Sequence, residues 1–295
     1  MSDIQLFSIK DEVKELIPST VTLEKELQNL IEQNMKLFFG VRFLESEYRI
    51  KDGRMDSIGI DENNSPVIFE YKRSINENVI NQGLFYLDWL LDHKGDFKLL
   101  VLERLGEEAA EAIDWSIPTL FCVANDFTKY DVHAVNQMQR NIRLVKYKKY
   151  HNGQILFEHL NTPTVKAVEQ SDIKSNEEKD KKTHLDKLAE APEELRTIYF
   201  EICNYIESLG DDVSANQLKF YKAYKKVQNI VCIEILKKHI LLYLKLDPAT
   251  VELKEGFIND MTNKGHYGTG DLQIVIKTPE DFIQAKSLLD RAYNE

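Results

Sequence analysis

Between Asn161 and Pro192 the chain thins out in apolar residues and becomes polar and charged, with Asn176–Glu177–Glu178–Lys179–Asp180–Lys181–Lys182 at its centre. A segment of this composition cannot bury enough apolar surface to fold alone. It therefore divides the 295 residues into two units, each of a size suited to one core. The expected division is a first domain over residues 1–160, a linker over 161–192 with room for a short helix at its end, and a smaller domain over 193–295. Hydrophobic residues at 43% and charged residues at 29% fit folded domains on both sides of the break.

Several classes of protein are disfavoured. Met1–Lys10 places Asp3 early and has no sustained apolar run, so a signal peptide is not expected. No stretch approaches the ~20 apolar residues of a membrane span, and the most apolar region, Asn229–Leu246, is broken by Lys237 and Lys238. The expected location is the cytoplasm. Cys122, Cys203 and Cys232 are far apart with no CxxC spacing, which reads as buried small hydrophobes rather than disulfides or a zinc site. The net charge of −11 means that nucleic-acid binding must rest on local patches and a metal rather than on overall basicity. Lys146–Tyr147–Lys148–Lys149 and Lys219–Phe220–Tyr221–Lys222 with Lys225 and Lys226 are candidates, though both read equally as solvated faces.

Apolar spacing predicts a helix over Thr22–Phe39 with Thr22 as N-cap, and a hairpin of Arg54–Ile60 and Val67–Lys72 around Asp61–Pro66. A helix follows over Asn76–Leu91, then a strand at Phe97–Leu102, a helix at Glu107–Ile113, a strand at Thr119–Ala124 and a helix over Thr128–Gln139. A second hairpin, Ile142–Tyr150 and Ile155–Leu160, turns at Asn152–Gly153. The second domain reads as a helix over Glu194–Leu209, strands at Ile230–Leu236, Ile240–Leu246 and Leu272–Lys277, and a last helix over Glu280–Tyr293 with Pro279 in its opening turn.

The first hairpin carries the chemistry. Side chains alternate along Val67–Ile68–Phe69–Glu70–Tyr71–Lys72, so Glu70 and Lys72 share a face. Asp56 falls on the partner strand within reach of the same spot. Two acids and a cation on rigid strands are what metal-assisted phosphodiester hydrolysis requires, and Mg²⁺ favours a few carboxylates with water and phosphate. The alternative is a solvated charged face, since Glu-x-Lys is common on exposed strands. Gln82 and Tyr86, four residues apart on the next helix, share a face as well.

With Gly53-x-x-Asp56, Glu70–Tyr71–Lys72–Arg73 and Gln82-x-x-x-Tyr86, the stretch from about Thr22 to Tyr150 resembles the RecB-like branch of the PD-(D/E)xK nucleases, and within it the NucS-type nuclease domain. The resemblance implies an α/β fold: a restriction-endonuclease-like central mixed sheet flanked by helices, followed by a small α+β domain. It implies that Asp56 and Glu70, with the backbone carbonyl of Tyr71, hold Mg²⁺ or Mn²⁺ and that Lys72 orients or activates water. Gln82 and Tyr86 support the site and contact the substrate. An acid on the first helix completes it, with Glu24 the better fit and Glu26 next, while Glu47 has a counterpart of structural character. Met55 stands where the family has proline. The first 20 residues do not resemble the DNA-binding domain that precedes the nuclease domain in NucS, so substrate preference does not carry over.

The expected function is a Mg²⁺-dependent deoxyribonuclease in repair or defence, with DNA the first candidate substrate and RNA the second. The rival is a catalytically silent nucleic-acid-binding or assembly protein on the same fold. A homodimer and a protein partner at the C-terminal domain are candidate assemblies. Gly265–His266–Tyr267–Gly268–Thr269–Gly270–Asp271 leads into a strand rather than a helix, which favours a tight turn over a phosphate cradle. The seven histidines are scattered, His93 alone standing where it could approach the site, and no Gly-x-Ser-x-Gly motif is present.

Overall fold

The computed structural model describes residues 4–9, 12–19, 24–72, 79–151, 153–161 and 182–295. The expected cap Thr22, Arg73, the start of the helix at 76–78, Asn152 and the run 162–181 lie outside them. Strands β1 (Phe7–Ser8) and β2 (Lys14–Glu15) pair with each other. The first unit continues with β3 (Pro18–Ser19), α1 (Glu24–Phe39), β4 (Val41–Ile50), β5 (Gly53–Asp61), β6 (Pro66–Lys72), α2 (Val79–Asp92), α3 (Lys94–Leu105), α4 (Glu107–Glu111), β7 (Thr119–Ala124), α5 (Lys129–Gln137), β8 (Asn141–Tyr150) and β9 (Ile155–His159). These strands form a seven-stranded sheet in the order β3-β8-β7-β6-β5-β4, with β9 on β8. Pairing is antiparallel through β4, β5 and β6 and parallel through β6, β7 and β8, so the sheet is mixed as expected.

Period-two alternation in the buried strands assigns the two faces. Ile68 of β6 joins Ile58, Leu120, Cys122 and Leu144 under the α2 side chains Val79, Leu87 and Leu90. Val67, Phe69 and Tyr71 point the other way, with Phe121 and Val145, and meet Leu27, Ile31, Met35 and Phe39 of α1. Phe69 and Phe121 stack with centroids 4.7 Å apart.

The segment expected as a strand at Phe97–Leu102 lies inside α3. Phe97, Leu100 and Val101 are buried while Leu99 and Leu102 are exposed, and that is the i, i+3, i+4 stripe of a helix. Strand β4 was not expected, because a register shift between Phe43 and Glu45 breaks its alternation and its outer half is rich in charge.

The second unit holds α6 (His184–Glu190), α7 (Glu193–Glu207), β10 (Ser214–Gln217), β11 (Lys222–Lys225), β12 (Asn229–Ile235), β13 (Ile240–Leu244), β14 (Ile258–Asp260), β15 (Leu272–Ile276) and α8 (Pro279–Asn294). Its six strands are antiparallel in the order β10-β11-β12-β13-β15-β14. Strands β10, β11 and β14 are too short to show in the sequence pattern. Helices α7 and α8 cover one face through Ile198, Ile202, Phe282 and Leu289. The loop before β15 is a turn: Gly268 has φ +82 and a Cβ there would lie 2.7 Å from Cys232 Sγ.

Helix α6 belongs to this unit, although it falls in the stretch expected as linker. Thr183 and Asp186 form a capping box, and the His184 amide donates to Lys219 O at 2.7 Å. His184 is fully buried with its Nε2 2.9 Å from the Tyr199 hydroxyl. Burial first, then Lys222 and Lys187, depress its pKa from 6.5 to about 4. A depressed pKa contributes stability above pH 6.5 that is lost as the pH falls through 4. Relative to a His184→Gln variant, the wild type should therefore lose up to about 3 kcal/mol between those values, read by urea titration at each pH. A constant difference would assign the transition to other groups.

The two units meet at the tip of the β5–β6 hairpin. Asp61 Oδ1 accepts from the amides of Asn63 and Ser65 at 2.8 and 2.9 Å, which builds the turn. Asn63 and Asn229 exchange amide hydrogen bonds at 3.1 and 2.6 Å, and Tyr221 donates its hydroxyl to Asn63 Oδ1 at 3.0 Å. The Asn229 amide donates to Glu62 Oε1 at 2.5 Å. Lys225 Nζ sits 3.8 Å from both Asp61 and Glu62, and Arg143 Nη2 donates to Ser214 Oγ at 3.3 Å. Each apolar cluster of the described residues lies within one unit, so what crosses between the units there is polar and buried.

Candidate active site

Strands β5 and β6 bring Asp56 and Glu70 together. The Asp56 amide donates to Glu70 Oε1 at 3.2 Å, and the Tyr71 amide donates to Asp56 Oδ2 at 3.0 Å. Glu70 has 0% exposure, which removes it from the class of solvated strand faces, and its Oε2 has no hydrogen-bond partner. Burial first and the charge of Asp56 second raise its pKa to about 9. A half-buried Asp56 facing a buried Glu70 with one oxygen unsatisfied is suited to a divalent cation, which would reverse both penalties on Glu70. Among the described residues no three His, Cys, Asp or Glu side chains are grouped to hold a metal. The protein donors at hand are thus the two carboxylates and main-chain oxygen, a set that fits an ion keeping water and phosphate oxygens.

Lys72 follows on the same face, its Nζ 3.6 Å from Glu24 Oε1. Of the two acids in the opening turn of α1, Glu24 is the one that meets the site residues, while Glu26 is exposed. Glu47 is occupied by Lys25 at 2.7 Å and Arg54 at 3.0 Å, which hold its carboxyl below the usual range. It lies in β4 at φ 54, a conformation uncommon for a residue with a side chain.

On α2, Gln82 Nε2 donates to the Tyr86 hydroxyl at 3.0 Å, and the same hydroxyl accepts from the Arg54 amide at 3.2 Å. The Tyr86 ring lies so close to Gly53 that a Cβ there would be 2.7 Å from Cε1. That contact is the physical reason for glycine three residues before Asp56. Gln82 and Tyr86 therefore brace the start of β5. His93 stacks on Trp89 and lies 2.8 Å from its carbonyl, with no contact to these residues.

A further layer had no sequence signal. Gln28 of α1, 5% exposed, donates to Asp56 O at 2.7 Å and to Glu32 at 2.8 Å. Ser57 donates to Glu32 at 2.7 Å, and the Tyr71 hydroxyl donates to Ser57 at 3.1 Å. The network fixes the backbone on either side of the carboxylates from the α1 face. The basic cluster of the second unit does not form one surface: Lys225 is buried at the junction, Lys222 reaches Glu207 and Lys226 reaches Asp212.

Residues 23–111 match the family described as the endonuclease NucS C-terminal domain, and residues 185–295 match a domain of unknown function (DUF5655). An uncharacterized protein of Haemophilus influenzae is 29% identical over 98% of this chain and 98% of its own length. Among solved structures, a repair endonuclease from Pyrococcus abyssi shares 17% identity over 48% of this chain and 65% of its own, with a TM-score of 0.29. An EndoMS–double-stranded DNA complex shares 16% identity over 48% of this chain and 64% of that one, with a TM-score of 0.30. The chain thus spans just under two thirds of those two structures. The first unit is NucS-like over the segment that carries Asp56, Glu70, Lys72, Gln82 and Tyr86. Among the described residues no helix is long and apolar enough to cross a membrane.

Proposed function

We propose that the protein is a metal-dependent nuclease that hydrolyses phosphodiester bonds, with DNA as its substrate. The observation that carries this reading is the buried, unsatisfied Glu70 facing Asp56, with Lys72 on the same face. Asp56, Glu70 and the Tyr71 carbonyl would hold Mg²⁺ or Mn²⁺, which would supply Lewis acidity toward the phosphate and a more acidic bound water. Lys72 places a positive charge beside the attacking water and the reacting phosphate. Glu24 steadies the Lys72 ammonium, and Gln82 with Tyr86 fixes the strand that presents Asp56. Because Oε2 of Glu70 is buried without a partner, burial is tolerable only where a ligand or proton compensates it.

Two measurements test the reading. Cleavage should occur with Mg²⁺ or Mn²⁺ and stop with chelator on at least one member of a panel of single-stranded, duplex, branched and mismatched DNA, with RNA as a further arm. Metal should also stabilise the folded state: at ten times its Kd the gain is about 1.4 kcal/mol, or roughly 2 °C in the melting temperature. Asp56→Asn should lose this shift. No heat of binding at millimolar metal, with or without DNA, sinks the metal assignment.

A further inference from the structure

The row that carries Lys72 continues across the sheet. Lys72 is in register with Ala124 of β7, and Ala124 with Lys146 of β8. Register partners on parallel strands project to the same face, and Leu144, two residues before Lys146, lies in the cluster with Cys122 and Ala124. Lys146 therefore stands on the face of Glu70 and Lys72, two strands away, or about 10 Å between α-carbons. Nucleotides of one strand follow at about 3.4 Å of axial rise, so two lysine stems at this interval can hold phosphates within a few nucleotides of each other.

The two lysines also have like surroundings. Lys72 is 13% exposed beside Glu24, and Lys146 is 14% exposed with its Nζ 2.8 Å from Asp126 Oδ1. In each pair the carboxylate is the more open partner, at 37% and 33%. Lys146 also pairs across strands with Glu158 of β9. A chain of net charge −11 that places two of its acids at its reaction centre needs local cations to hold a polyanion there.

We infer that Lys146 is a substrate-binding residue that holds a phosphate close to the scissile one, and that Asp126 is its counter-ion until substrate displaces it. The inference rests on the nuclease reading for the meaning of the site, but its test does not depend on turnover. In an Asp56→Asn background, Lys146→Ala should weaken binding of a fluorescent DNA that carries duplex and single-stranded segments by five- to tenfold. One phosphate contact fewer should lower the slope of log K against log[salt] by about 0.7 to 0.9. Lys146→Arg should restore both, and Asp126→Asn should tighten binding. With Asp56 intact, the Lys146→Ala defect should fall on KM rather than kcat. Equal affinity and salt slope for Lys146→Ala and its parent overturn the inference, as does the absence of any binding by the parent. Equal cleavage by wild type and Asp56→Asn would instead strike the nuclease reading and leave the binding result to be judged by itself.

Discussion

Asp56→Asn is expected to lower the cleavage rate at least about 10³-fold, equivalent to about 4 kcal/mol in the barrier, while the protein stays folded and still binds DNA. Asparagine keeps the size of the side chain and an oxygen able to accept from the Tyr71 amide, now 3.0 Å from Asp56 Oδ2. It removes the charge that opposes Glu70 and that the proposed metal would require. DNA affinity should hold or rise, since a negative charge facing phosphate is gone. Lys72→Ala should also abolish cleavage, with modestly weaker binding. Gln82→Ala should cost nearer tenfold, because Gln82 acts through the Tyr86 hydroxyl and the Arg54 amide. The observation that would falsify the enzyme is equal activity of wild type and Asp56→Asn on every substrate with metal present; the silent nucleic-acid-binding protein would then take its place.

The second large effect lies at the junction. Lys225→Met should destabilise the protein by about 3–5 kcal/mol, the usual consequence of removing one partner from a buried ionic group. Lys225 and Asp61 have side chains only 7% and 5% exposed, and Glu62 is 16% exposed. Burial already raises the pKa of Glu62 against the pull of Lys225. Arg143, buried nearby, also attracts Asp61, but burial lowers its pKa to about 10, so it offsets only part of the lost charge. Adding Glu62→Gln should recover part of the loss. Calorimetry should show the single variant splitting into separate transitions for the two units, because no described apolar cluster spans them. A change below 1 kcal/mol with one cooperative transition would contradict this account.

The geometry of the candidate site was legible wherever it obeys a short period. Glu70 and Lys72 are two apart on a strand, Gln82 and Tyr86 four apart on a helix, and β5 returns antiparallel on β6, so local rules suffice. The supports of Asp56 were not legible. Gln28 and Glu32 lie on α1, where polar residues normally mark the solvent side, and Gln28 is 28 positions from the Asp56 carbonyl that it meets. Asn63 and Asn229 are 166 positions apart, and no periodicity links them. Lys225 shows the same limit from the other side: as part of a basic run it read as a candidate nucleic-acid patch, yet tertiary pairing buries it against Asp61. In α3, six consecutive residues of strand-like composition hid a helical stripe, because burial rather than composition decides the period.

The amide pair of Asn63 and Asn229 has an evolutionary consequence. A reciprocal asparagine exchange accepts few one-sided replacements: an aspartate or an apolar residue on either side strands the opposite donor or acceptor in a buried place. Among relatives that retain both halves, positions 61–63 should therefore change together with 221, 225 and 229. A second half borrowed from a relative with a different set should fail to dock even where its own core is sound. Lineages that lost the second half, by contrast, should show the hairpin tip drifting freely in length and composition. The tip is then a record of whether an ancestor of the chain was ever divided.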